Sequence, residues 1–115
     1  MPYLAVTTNA EISKEISREF LQSASKTMAA GTAKPEAYVM VNLDAGRPLL
    51  FAGTDAPAAF LEVKSIGFPA DGVQKLAASL CDLVSKHLGI PGERIYVTFQ
   101  DVKAAMWGQN GETFG

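Results

Sequence analysis

Apolar residues recur along this chain in two rhythms, and the switches between them mark out its elements. Tyr3 to Thr8 is short, apolar and β-branched, which predicts a strand. Ile12, Ile16, Phe20, Ala24 and Met28 then recur every fourth residue, with Leu21 beside them and Ser, Lys, Glu and Arg between. That spacing predicts an amphipathic helix, capped by Asn9 or Ser13 and ending near Gly31. Lys34-Pro35 breaks the chain before a second strand, Tyr38 to Leu43, which is apolar enough to be covered on both faces. Asp44 to Pro48 reads as a turn, Leu49 to Ala52 as a short third strand, and Gly53 to Pro57 as a loop.

The order then repeats. Ala59 to Ile66 predicts a strand, and Asp71 is placed to cap a helix whose buried stripe is Val73, Leu76, Ala77, Leu80 and Val84. Gly89 and Pro91 stop that helix. Arg94 to Val102 predicts the last long strand, followed by the short apolar piece Met106-Trp107 and a turn at Asn110-Gly111. At an offset of 56 residues Pro35 falls on Pro91, Val39 on Ile95, Val41 on Val97, Phe20 on Leu76 and Met28 on Val84. The expected fold is therefore α+β, a single domain over 1–115 with an internal repeat of about 1–56 and 57–115. Each half is a β-α-β unit with parallel flanking strands and a right-handed crossover. Together they make one four-stranded mixed sheet with two helices on one face, plus short edge strands.

Helices on one face leave the other face of the sheet to be covered. In the last strand Ile95, Val97 and Phe99 alternate with Tyr96, Thr98 and Gln100, so the first set faces the helices and the second faces away. Hydroxyls on a covered face need partners. With 19% charged residues against 48% hydrophobic ones, the chain is poor in charge for a small monomer. Copies of the same chain are the expected cover, with the short strands extending a neighbour's sheet and guarding its edges.

Composition excludes several functions. A net charge of −2 without a basic run argues against nucleic-acid binding. No apolar run is long enough to span a membrane, and the expected chain has no secretion signal. One cysteine, Cys81, and one histidine, His87, rule out an internal disulfide and a multi-His or Cys-based metal site. Cys81 reads as packing, and His87 as a helix-terminal residue suited to the dipole. No glycine-rich phosphate loop has the strand-loop-helix context it would need, because the glycines from Gly108 to Gly115 lack it.

The residue with distinctive chemistry is Pro2, directly after Met1. An internal proline nitrogen is an amide without basicity. If Met1 is removed, as is usual before a small residue, Pro2 becomes a secondary amine able to take a proton. Apolar surroundings and a nearby cation both lower an amine's pKa toward neutrality. Tyr3, Ile66, Trp107 and Phe114 are candidate walls, and Lys34 is the candidate cation.

Met1-Pro2, Thr8-Asn9, Lys34-Pro35, Phe51-Ala52-Gly53, Ser65-Ile66-Gly67, Arg94-Ile95-Tyr96-Val97 with Asp101, and Thr113-Phe114 lie in an order and spacing that resemble the macrophage migration inhibitory factor and D-dopachrome tautomerase family, end to end. The resemblance implies a homotrimer with a site at each subunit interface. It implies Pro2 as catalytic base, Lys34 and Ile66 as pocket residues beside it, and Tyr96 reaching the pocket from the adjacent subunit. Thr98 stands where animal members carry asparagine, a hydroxyl of shorter reach. Lys64 stands where they often carry histidine, and Trp107 and Gln109 change the apolar arrangement near the C-terminus. The stretch matching the animal Cys-x-x-Cys motif is Ala58-Ala59-Phe60-Leu61, so dithiol redox chemistry is not expected.

The expected function is cofactor-free keto–enol tautomerisation of an aromatic α-keto acid such as phenylpyruvate. Lys34 would hold the carboxylate, Pro2 would move the proton, and Tyr96 or Thr98 would steady the enol oxygen. An iminium between the amine and a carbonyl substrate ranks lower. The alternatives are a cytokine-like protein that binds a receptor and keeps a vestigial pocket, and a trimer without a physiological substrate. Cytoplasmic residence and export without a signal peptide fit equally.

Overall fold

A computed structural model describes residues 1–115. Its main sheet is built from β1 (Tyr3–Thr8), β2 (Met40–Asp44), β3 (Ala59–Ser65) and β4 (Ile95–Asp101), in the order β2-β1-β3-β4. β1 runs parallel to β2, and β3 parallel to β4, while the two halves meet antiparallel at β1 and β3. Each parallel pair is joined through a helix, α1 (Lys14–Thr32) or α2 (Gly72–Leu88). The expected mixed sheet and repeated β-α-β order are present.

Both helices lie on one sheet face, and the core is the seam between them. Leu4 and Val6 of β1, and Leu61 and Val63 of β3, point into it and meet Phe20, Ala24 and Met28 of α1 and Leu76, Leu80 and Val84 of α2. The period of two in the strands and of nearly four in the helices brings these sets together. Ser13 caps α1, its Oγ accepting from the Ile16 N–H at 3.2 Å. The helix therefore begins two residues after Ile12, and Ile16 on its first turn stays exposed. α1 runs past Gly31 to Thr32, where the Thr32 hydroxyl donates to the Met28 carbonyl at 2.6 Å. Gly31 permits the close approach of α2: a Cβ there would lie 2.5 Å from Leu76 Cδ1.

Three local expectations are corrected. The segment Leu49 to Ala52 forms no strand, because Phe51 folds back on Thr54 in a tight two-way bridge. The second strand starts at Met40, since Glu36–Tyr38 forms a 3-10 turn after Pro35. As an edge strand it is open on one side within a single chain, with Met40 66% exposed. Asp71 adopts a left-handed backbone (φ 59°), and its side chain makes no capping bond to α2. The expected Asn110-Gly111 turn is present and joins β5 (Gly108–Gln109) to β6 (Glu112–Thr113) in a separate two-stranded sheet.

The face away from the helices carries three cross-strand rows. These are Met40-Tyr3-Lys64-Gln100, Asn42-Ala5-Glu62-Thr98 and Asp44-Thr7-Phe60-Tyr96. No helix covers it; within the chain only Phe51 at Tyr96 and the segment around Trp107 beside Tyr3, Lys64 and Gln100 lie against it, and Tyr96 is 60% exposed there.

Candidate active site

Pro2 leads directly into β1, and its carbonyl accepts from the Met40 N–H at 3.0 Å. That bond zips β1 to β2 one step beyond the strand and fixes the ring at the sheet's end. Pro2 is buried, on the wall of a cavity of about 270 Å³. Tyr3, Tyr38, Trp107 and Phe114 supply aromatic surface there, and Val39 and Met40 aliphatic surface. The C-terminal residues reach this place because the Phe114 N–H donates to the carbonyls of Ala104 and Trp107, at 3.2 and 3.1 Å, curling the tail around the hairpin.

The electrostatics disfavour the charged form of an amine here. In the full chain the N-terminal amine, on Met1, titrates below its ordinary value near 8.0, first because burial disfavours its charge and second because of the Lys34 cation. Lys34 is half-buried just beyond the C-terminus of α1, where its backbone N–H donates to the Ala29 carbonyl at 3.1 Å.

The remaining expected residues are placed unevenly. Tyr3, Trp107 and Phe114 line the cavity with Pro2, as expected, while Ile66 and Lys34 are not on its lining. Ile66 is half-buried at the end of β3, held by two flanking bonds: Val102 N–H to the Ser65 carbonyl at 2.8 Å, and Gly67 N–H to Asp101 Oδ1 at 2.9 Å. Tyr96 and Thr98 do not meet Pro2 within the chain. Tyr3 is level with Lys64 and Gln100, whereas Tyr96 is level with Phe60 and Thr7. Four residues of strand separate those levels, about 13 Å at 3.3 Å per residue. The Thr98 hydroxyl makes only a long contact of 3.5 Å to the Leu61 carbonyl.

The pattern of apolar positions missed Tyr38, Val39 and Gln109 as lining residues. Tyr38 and Val39 looked like ordinary strand residues, and only the 3-10 turn before β2 swings them to the cavity. Lys64, two residues before Ile66 and inside β3, lines instead a neighbouring cleft that shares Tyr3, Trp107 and Gly108 with the Pro2 cavity. Cys81 is half-buried against the core and its thiol is pushed up by burial, away from reactive thiolate character. His87 packs edge-on against Phe20, with ring centroids 6.3 Å apart. No group of His, Cys, Asp and Glu side chains comes together in a way that could hold a metal ion, and no helix is long and apolar enough to cross a membrane.

The family model described as macrophage migration inhibitory factor (MIF) matches residues 1–115. The chain belongs to the macrophage migration inhibitory factor family. A homolog of the factor from Trichuris trichiura is 40% identical over 115 residues, covering 99% of this chain and all of the relative. The factor from Mus musculus is 34% identical over 116 residues, with 99% of each chain covered. Among solved structures, the homologue from Prochlorococcus marinus superposes with a TM-score of 0.93 at 37% identity, covering 98% of this chain and 99% of that one. The factor from Trichinella spiralis gives a TM-score of 0.90 at 32% identity, covering 97% and 99%. This MIF-family chain thus matches the Trichuris trichiura and Mus musculus relatives over essentially their full length and shares its fold with the solved homologues from Prochlorococcus marinus and Trichinella spiralis, in a family known for tautomerase and cytokine roles.

Proposed function

We propose that this chain is a cofactor-free keto–enol tautomerase for aromatic α-keto acids such as phenylpyruvate, and that Pro2 is its base once Met1 is removed. The observation that carries this reading is the position of Pro2: buried at the end of β1, on an aromatic cavity, beside a Met1 amine whose pKa is held down by burial and by Lys34. The same burial and the same cation would lower the pKa of a freed Pro2 amine, the direction a general base requires. Met1 itself forms part of the wall of this cavity of about 270 Å³, so its removal would open further room beside Pro2 for a phenyl ring carrying a three-carbon acid.

Lys34 would attract the carboxylate, and Ile66 would close the apolar side. The Pro2 nitrogen takes the proton from the carbon next to the ketone while the ketone oxygen takes one up. Ketonisation is the reverse. The 13 Å between the levels of Tyr3 and Tyr96 in one chain, together with the uncovered sheet face, supports a homotrimer in which Tyr96 and Thr98 of one subunit serve the Pro2 cavity of the next. Their hydroxyls would then donate to the developing enolate oxygen.

The test is phenylpyruvate ketonisation by the wild type and Pro2→Ala, after mass spectrometry has confirmed loss of Met1 from both. Removing a general base costs about 10²–10⁴-fold in rate. Equal rates would eliminate Pro2 as the base. Receptor binding retained by an inactive Pro2→Ala protein would instead favour a cytokine-like main role. Light scattering checks the assembly, and a monomer would remove the argument for a shared site.

A further inference from the structure

Fourteen residues, 45–58, separate β2 from β3 without a strand or helix of their own. Loops of that length inside a compact fold usually serve function. Two side chains from outside stitch this one down. From the end of β1, Asn9 Nδ2 donates to the carbonyls of Leu49, Asp55 and Ala56 at 3.1–3.2 Å, and its Oδ1 accepts from the Ala58 N–H at 2.9 Å. From the residue just before β4, Arg94 Nε donates to the Pro57 carbonyl at 2.9 Å. One terminal nitrogen of Arg94 reaches the carbonyls of Phe51, Thr54 and Ala56 at 3.0–3.3 Å.

Arg94 has no carboxylate partner. Its charge is spent on backbone dipoles, and its guanidinium carbon lies 5.0 Å from the centroid of the Phe51 ring. The other neighbour of that ring is Tyr96, with centroids 4.8 Å apart and planes tilted by 54°. Tyr96 is otherwise an exposed side chain on an open face, with no hydrogen bond of its own to hold it. Guanidinium, phenyl ring and phenol thus stand in series, Arg94 to Phe51 to Tyr96.

We infer that Arg94 is a positioning residue: by latching the 51–57 loop it holds Phe51 against Tyr96 and so orients the Tyr96 hydroxyl. The link to catalysis rests on the tautomerase reading above, whereas the link to the ring of Tyr96 does not. Planarity is essential to the latch. A lysine keeps the charge but cannot fork to four carbonyls or stack on Phe51. Its carbonyl partners are mostly at the surface, where water replaces lost bonds, so the fold survives its removal.

The two links are read separately. The chain has three tyrosines, so ring-labelled tyrosine gives three NMR signals, and Tyr96→Phe assigns one of them. The Phe51 ring current displaces that signal. Arg94→Ala and Arg94→Lys are expected to move it to the position it takes in Phe51→Ala, with melting temperatures close to wild type. A Tyr96 signal unchanged in both Arg94 variants overturns the inference, and Arg94→Lys decides alone if Arg94→Ala fails to fold. In phenylpyruvate ketonisation, Arg94→Ala is expected to lower kcat/KM by up to about 100-fold, the scale of an approximately 1 Å misplacement. Tyr96→Phe/Arg94→Ala is expected to be no slower than Tyr96→Phe alone. Additive losses mean that Arg94 acts by another route and overturn the catalytic link. A wild type inactive on phenylpyruvate refutes the tautomerase reading while the NMR result still decides the latch.

Discussion

Replacing Thr8 by valine tests whether the junction of β1 with the long loop is held by hydrogen bonds or by packing alone. Thr8 is fully buried. Its hydroxyl donates to the Ala58 carbonyl at 2.7 Å and accepts from the Ala10 N–H at 3.1 Å, joining the end of β1 to the start of β3. Valine has the same shape and removes both bonds. Each lost bond costs about 0.5–1.5 kcal/mol, and a buried group left without a partner costs about 1–3 kcal/mol. Against this stands the extra methyl in the core, about 0.8 kcal/mol. The net expectation is a loss of about 2–3 kcal/mol. Thr8→Ser keeps the hydroxyl and loses one methyl, for about 1 kcal/mol. Urea unfolding at one fixed protein concentration should therefore rank wild type above Thr8→Ser above Thr8→Val, with the m-value unchanged. In thermal unfolding, Thr8→Val should fall by about 10 °C at roughly 4 °C per kcal/mol for this chain length. Thr8→Val as stable as Thr8→Ser, or more so, would refute the claim that these two bonds hold the junction.

Other outcomes follow from the same structure. Lys34→Ala removes the cation that helps hold the N-terminal amine below its ordinary value, so the amine's titration midpoint rises. Because the neutral amine is the reactive form, amine acylation followed against pH should move to higher pH in Lys34→Ala, and in the Met1-free protein the rising limb of kcat/KM should move the same way. Phe20 is completely buried between α1 and the sheet, and Phe20→Ala should cost about 3–5 kcal/mol in urea unfolding. The Ser65 hydroxyl is fully buried without a hydrogen-bond partner, so Ser65→Ala should stabilise the fold by about 1 kcal/mol, and a clear loss would mean that the hydroxyl is satisfied.

Legibility along the chain followed the reach of the forces involved. The stripe Phe20-Ala24-Met28, its counterpart Leu76-Leu80-Val84, and the alternation Ile95-Val97-Phe99 each declare a face through local periodicity, and all became core or helix-facing positions. Leu49 to Ala52 failed as a strand because its β propensity had no partner strand to act on. Asn9 and Arg94, from the ends of distant elements, took its backbone carbonyls instead. Asp71 failed as a cap because capping depends on backbone angles as well as residue type, and its φ of 59° turns the side chain away. The Pro2 cavity was half legible. Tyr3, Trp107 and Phe114 stand out as aromatics near the termini, whereas Tyr38 and Val39 reach the cavity only through a turn that periodicity does not register.

The amino-acid sequence by itself determined the two β-α-β halves and the faces of their strands and helices, and it singled out Pro2 as the residue to examine as a base. Those are local properties: periodicity, chain-breaking residues and the chemistry of a single ring. Only the tertiary structure decided that Pro2 is buried on an aromatic cavity, that Lys34 acts on the amine through space, and that Tyr96 stands about 13 Å along the sheet from the level of Tyr3, braced by Phe51 and Arg94. Burial, field and register are relations between residues far apart in the chain, set when the two halves pair antiparallel at β1 and β3.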